Sequence, residues 1–230
     1  MPIWSFDLET TGVDTATALP VQIAVEIIGE HCGIENDGFR CIVDPGIEIP
    51  EEAAAIHGIT TERSRDEGVP LDEAVSALHA TLHTCAMSSR PLVVFNARYD
   101  IPIAARLFEQ HGGTLPELCI LDPFVIDRHF DKYRKGRRTL GAMCEHYGVE
   151  LTGAHDASAD AVAAARLMRT LAEVYPTLAK KTPAALQVLQ AGWFEDWKKG
   201  FNDYLARKSD NPDFVTGSDN PDFVTGTWPL

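Results

Sequence analysis

Apolar positions follow two rhythms along this chain. Residues 3–8 form a short apolar run that ends on an acidic pair. Residues 22–28 and 39–43 are two more strand-length segments, joined across the turn-rich residues 33–38. That order predicts an antiparallel meander opening a sheet. The spacing then lengthens. Residues 50–57 read as helical, and residues 71–83 more strongly so, with Leu71, Val75, Leu78 and Leu82 on one side. Residues 92–95 are an apolar run of strand length, followed by a helix expected over 97–110. Ile120 and Leu121 precede an acid and a proline and read as a last strand. From Thr139 onward, including 156–174, helix dominates. Strands first and strand–helix alternation afterwards predict an α/β fold, a mixed sheet with helices packed on it.

Beyond Pro176 the pattern changes again. Leu186, Leu189, Trp193, Trp197, Phe201 and Tyr204 form a helical apolar stripe, read as a helix docked on its own domain. The alternative is a helix that binds a partner. Residues 209–217 and 218–226 are an identical tandem nonapeptide, SDNPDFVTG, followed by TWPL. Two short polar copies cannot stack into a solenoid, so a flexible or surface-draped tail is expected. The expected organisation is a main folded domain over 1–175, a helical extension over 176–208 and the repetitive tail over 209–230.

With 230 residues, 45% of them hydrophobic, the chain can bury one full core. No basic stretch leads into an apolar N-terminal segment, and no apolar run is long enough to span a bilayer. A cytoplasmic protein that does not engage a membrane is expected. The five cysteines are scattered and never spaced C-x-x-C, as buried reduced thiols would be. The net charge of −14 runs against a broadly basic nucleic-acid binder. Carboxylates clustered to hold divalent ions would add to that charge, and bound ions would reverse the local field.

Candidate chemistry begins at the first strand. Asp7 and Glu9 lie two apart, so the pleat turns both carboxylates to one face where the strand ends. Oxygen donors of this kind suit hard cations such as Mg²⁺ or Mn²⁺. Asp100 follows the 92–95 run near a helix start, where an acid also favours the helix dipole. His155 and Asp160 lie five apart in HDASADA, and on one continuous helix they would point apart. His155 therefore belongs in the loop leading in, with Asp156 or Ser158 capping and Asp160 one turn inside.

Taken together and in order, FDLETTG, NARYD and HDASADA resemble the motifs of the DEDDh 3′–5′ exonucleases, which have a ribonuclease-H-like fold. The resemblance covers about residues 1–175. IHGIT at residues 56–60 is similar to a segment of members like the epsilon proofreading subunit of bacterial DNA polymerase III. The resemblance implies that Asp7, Glu9, Asp100 and Asp160 bind two divalent metal ions, Mg²⁺ or Mn²⁺, and that His155 is the general base. It also implies that Thr10, Glu52 and His57 contact the terminal nucleotide. It carries no polymerase-binding role to the C-terminal extension, although a DNA polymerase or another replication or repair partner could meet the chain there.

Two metals about 4 Å apart suit an in-line displacement at a phosphodiester. An imidazole, titrating near 6.5 when unperturbed, suits the removal of a proton from water. The basic run Lys132, Arg134, Lys135, Arg137 and Arg138 reads either as a solvated face or as a track for the substrate backbone, with Arg137 and Arg138 the expected contacts. The function implied is release of nucleoside monophosphates from a DNA 3′ end in proofreading or repair, the HGIT segment favouring DNA. Trimming of RNA 3′ ends is the alternative. A haloacid-dehalogenase-type phosphatase shares D-x-D-x-T with residues 7–11, but Glu9 fits it poorly and the later motifs stay unexplained. A non-catalytic interaction module is the remaining reading.

Overall fold

The computed structural model describes residues 2–30, 33–208, 224 and 226–229. Strands β1 (Ile3–Thr10), β2 (Pro20–Ile28) and β3 (Ile34–Asp44) form the expected antiparallel meander. Helices α1 (Glu51–His57) and α2 (Thr61–Glu67) lead to the short β4 (Val69–Pro70), and α3 (Leu71–Met87) leads to β5 (Leu92–Val93). Then come α4 (Asp100–Gln110), β6 (Ile120–Leu121), α5 (Pro123–Phe130), α6 (Leu140–Tyr147), α7 (Ala157–Val174), α8 (Pro176–Ala179) and α9 (Pro183–Lys208). The sheet order is β4-β3-β2-β1-β5-β6, with β5 and β6 parallel to β1. This is a mixed sheet with helices on both faces.

Strand β1 shows how the layers are assigned. Trp4, Phe6 and Leu8 alternate into a core shared with Val75 and Leu78 of α3 and Ile101 and Leu107 of α4. Ile3, out of phase with them along the strand, packs on the other face with Val162, Ala164 and Leu167 of α7. Ser5 shares that second face. It is fully buried, and its hydroxyl lies 2.6 Å from the Ala161 carbonyl and 3.1 Å from that of Val93. The alanines at 161, 164 and 165 are buried with almost no exposure, so α7 can lie close against β1.

Three elements were not expected from the pattern. The segment that forms α2, TERSRDE, has no apolar face; Thr60 caps it, and the Ser64 hydroxyl donates to the Val43 carbonyl. Strand β4 is two residues long. Helix α5 is too short for periodicity to show, although Asp122 at its N-cap followed by Pro123 is a legible start. Two boundaries also move. Strand β5 stops at Val93, because Asn96 takes a left-handed conformation (φ 57°) and the chain turns. Residues 97–99 belong to that turn, so α4 begins at Asp100.

Helix α9 packs on α5 and β6, as expected of a helix docked on its own domain. Its buried seam is Leu186, Gln190 and Phe194 rather than the full aromatic stripe; Trp193, Trp197 and Phe201 are half-buried and Tyr204 is exposed. Most of the tandem repeat lies outside the described residues. Past the repeat, Trp228 is 3% exposed and sits in the α3–α4 core, so this stretch of the chain is tucked in. Among the described residues Cys85 and Cys144 are buried free thiols as expected, whereas the free thiols Cys41 and Cys119 are half-buried; Cys32 lies outside the described residues. Among the described residues no helix is long and apolar enough to cross a membrane.

Candidate active site

The acidic centre forms where β1 emerges from under α7. Asp7 and Glu9 continue the face of Ile3 and Ser5, so they turn toward the start of α7. A bulge between Glu9 and Thr10 ends the regular pairing with β2 at this point. Gln22, directly across from Glu9, ties down the helix start: its Nε2 donates to Asp156 Oδ2 (2.8 Å), and its Oε1 accepts the Ala157 N–H (3.0 Å). Asp156 also caps α7 through the Ala159 N–H, as expected of that position. The Ser158 hydroxyl donates to the buried Glu26 carboxylate of β2 at 2.5 Å. Three side-chain contacts therefore hold the first turn of α7 over the end of β1.

Asp160 sits in that first turn, and His155 precedes it in a left-handed conformation (φ 67°), rare for a residue with a side chain. Ligand atoms of Glu9, His155 and Asp160 lie within 4.8 Å of one another. Asp100 arrives from the other side of β1. Because β5 ends at Val93, the Leu8 N–H has no strand partner on that side, and Asp100 Oδ1 accepts it at 3.0 Å.

Electrostatics marks these carboxylates as one cluster. Asp7 is held well above the ordinary carboxylate range by burial, then by the charges of Asp100, Asp160 and Glu9. Burial, reinforced by Asp160 and Asp100, pushes Glu9 up to about 7. Asp100 is also pushed up to about 7 by burial, against the Leu8 hydrogen bond. Asp160 is raised by burial as well, and its Oδ1 is buried without a protein partner. Four acids that destabilise each other's charge, with one orphaned oxygen, form a donor set that a divalent cation would satisfy.

The other expected contacts separate. Thr10 follows Glu9, its hydroxyl donating to the Gly12 carbonyl. His57 ends α1 with Nδ1 accepting the Ile59 N–H, while its buried Nε2 has no hydrogen-bond partner. Burial lowers the pKa of His57, with the backbone of Thr10 at the end of β1 acting against it. Glu52 is exposed on the same helix, and Arg137 is exposed in the loop before α6. Arg138 is a correction. It is 5% exposed and forms a buried ion pair with Asp127, which also accepts from Arg134 and from the Tyr147 hydroxyl (2.7 Å). A guanidinium spent on an internal carboxylate cannot grip a substrate phosphate. Asp122 and Gln190, both fully buried beside the turn that carries Asp100, were not singled out from the sequence. An acid at a strand end was the one signal available for Asp122, and Gln190 carried none.

Comparison with known proteins supplies the family and the fold. The Exonuclease family model matches residues 4–168. A DNA polymerase III subunit epsilon from Buchnera aphidicola is 31% identical over 153 residues, covering 62% of this chain and 60% of that protein. The subunit of the same name from Rickettsia typhi is 29% identical over 180 residues, covering 75% and 71%. Among solved structures, E. coli exonuclease I in complex with a dT13 oligonucleotide superposes with a TM-score of 0.64 at 18% identity, over 77% of this chain and 42% of that one. A product-bound exonuclease I gives 0.63 at 14% identity, over 91% and 48%. The chain thus spans 60% of the Buchnera subunit and less than half of exonuclease I. The fold shared with these structures is ribonuclease-H-like, as expected, and no haloacid-dehalogenase reading is needed. Matched over most of its length and built on that fold, this chain belongs to the Exonuclease family.

Proposed function

We propose that this chain is a metal-dependent 3′–5′ exonuclease that removes nucleoside monophosphates from the 3′ end of single-stranded or frayed DNA. The observation that carries the reading is the convergence of Glu9, His155 and Asp160 within 4.8 Å, beside Asp7 and Asp100. Asp7, Glu9, Asp100 and Asp160 would hold two divalent ions, Mg²⁺ or Mn²⁺. Such ions, when bound, offset the phosphate charge and ease the ionisation of water.

The residues themselves do the rest. The imidazole of His155, exposed at the mouth of the cluster, takes the proton from the attacking water. A bond forms from that oxygen to phosphorus, and the bond from phosphorus to the penultimate O3′ breaks, its electron pair leaving on O3′. Thr10, His57 and Glu52 line the approach to the terminal nucleotide. Arg137, with exposed Lys132 and Lys135, offers charge for the strand's phosphates.

DNA is favoured over RNA because relatives are named as subunits of a DNA polymerase and a solved neighbour holds dT13. Association with a polymerase is carried over from those names alone, and α9 turns much of its apolar surface inward. The test is digestion of labelled single-stranded DNA and RNA, blocked at either end, with Mg²⁺, Mn²⁺ or chelator. Metal-dependent loss of mononucleotides from free 3′ ends, faster on DNA, is expected. Digestion of 3′-blocked strands, or activity in chelator, would overturn the proposal, and faster digestion of RNA would reassign the substrate.

A further inference from the structure

We propose that the C-terminal segment belongs to the catalytic scaffold: Trp228 and Gln190 hold Asp122, and Asp122 fixes the turn from which Asp100 is presented. The inference rests on the reading of Asp100 as a metal-binding carboxylate.

The turn at Asn96 and Ala97 has left the sheet, so its backbone donors have no strand to pair with. Asp122, with no exposed surface, supplies the acceptors. Its Oδ1 takes the N–H of Asn96 (2.9 Å) and of Phe124 (3.0 Å), and its Oδ2 takes the N–H of Ala97 (3.0 Å). The turn then passes directly into the first turn of α4: the Ala97 carbonyl accepts the Ile101 N–H, and that of Asn96 accepts the Tyr99 N–H. Asp100 lies inside this wound segment. A shift of the Asp122 carboxylate is therefore transmitted to Asp100 over three residues of hydrogen-bonded backbone.

Two parts of the C-terminal region hold Asp122 in turn. Strand β6 ends the sheet, and α9 covers its open edge with amides instead of another strand. Gln187 Oε1 accepts the Ile120 N–H (3.0 Å), Gln190 Nε2 donates to the Ile120 carbonyl (3.0 Å), and Gln190 Oε1 accepts the Asp122 N–H (2.6 Å). The indole N–H of Trp228 reaches Asp122 Oδ2 at 3.4 Å. Trp228 is delivered by the end of the second nonapeptide. Asn202 pairs both ways with the backbone of Val224 (3.0 Å each), and Lys198 Nζ donates to the Gly226 carbonyl (2.6 Å). Both copies carry the same docking sequence, but only the second continues into Thr227 and Trp228.

Asp122 and Trp228 are positioning residues. The test uses the full chain with Trp228→Phe, which keeps an aromatic ring and loses the donor, and Asp122→Asn. Without metal, hydrogen exchange of peptides spanning residues 95–101 should accelerate in both variants while α3 stays protected. Well below the melting transition, kcat should fall about tenfold in Trp228→Phe with KM little changed, short of the hundredfold that a 1 Å misplacement can cost. The Mn²⁺ concentration for half-maximal activity should rise. Unchanged exchange at 95–101 in both variants, or looser exchange with kcat and Mn²⁺ dependence unaltered, would overturn the inference. Asp100→Asn separates the two levels: it should abolish activity with the turn still protected. An active Asp100→Asn would overturn the catalytic reading and with it the inference, even if exchange shows that the clamp exists.

Discussion

The backbone N–H of His155 donates to Asp160 Oδ2 at 3.3 Å, closing a loop over residues 155–160 at the start of α7. On one helix these side chains would diverge. Here the left-handed backbone at His155 folds the chain back, so the imidazole and the carboxylate face the same space as Glu9. The proposed general base is thus placed by a strained turn rather than by helical spacing.

That placement makes His155→Ala informative. The rate should fall by about two to four orders of magnitude and lose its rise with pH. Folding should be unaffected, since the side chain is exposed and the N–H that bonds Asp160 is backbone. A pH–rate profile that keeps the shape of the parent would remove the role of the imidazole.

Asp7→Asn should abolish cleavage for a different reason, because the substitution removes a charge the cluster is built around. Burial and four neighbouring acids already disfavour that charge, so the metal-free variant should melt at the same temperature as the parent or higher. Calorimetry alongside the nuclease assay checks both halves. Normal activity in the variant would refute the metal assignment.

Stability without metal should depend on pH in the sense opposite to most acids. Glu9 and Asp100 are held at about 7 in the fold, against ordinary values of 4.5 and 3.8. Between those values and 7 the folded chain binds more protons than the unfolded one, so stability falls as pH rises through this window. In chelator, the melting temperature contributed by this cluster should therefore drop from pH 5 to pH 8. Adding Mn²⁺ at pH 8 should restore it with release of protons. A chelated protein whose melting is flat across that window would contradict the clustered acids.

Arg137 and Arg138 should behave as opposites. Arg138→Ala strands Asp127 in the core with Arg134 as its remaining cationic partner and should cost about 3 kcal/mol of stability. Arg137→Ala should leave stability unchanged and reduce the slope of log binding constant against log salt by about 1. Denaturant melts and salt titrations with single-stranded DNA distinguish them. An Arg138 variant of parental stability would show that the buried pair contributes nothing.

Much of the site was readable because it depends on local rules. A period of two along β1 puts Asp7 and Glu9 on one face, whatever the rest of the fold does. The capping chemistry of Asp156 announces the start of α7 and places His155 outside it and Asp160 inside. The antiparallel meander and the long amphipathic helices were legible for the same reason, since apolar spacing is set within a few residues.

Side-chain fates that depend on remote backbone were not legible. Asp100 finds its place because β5 stops two residues into its pairing and leaves the Leu8 N–H unsatisfied. Arg137 and Arg138 are neighbours of identical chemistry, yet one meets water and the other a buried carboxylate eleven residues back. Gln190 lies in an apolar seam because the open edge of β6 needs amides there, a demand that exists only once the sheet has formed. Periodicity is written in neighbouring residues, whereas an orphaned donor or a buried charge is created by the fold, and the partner it selects can lie anywhere along the chain.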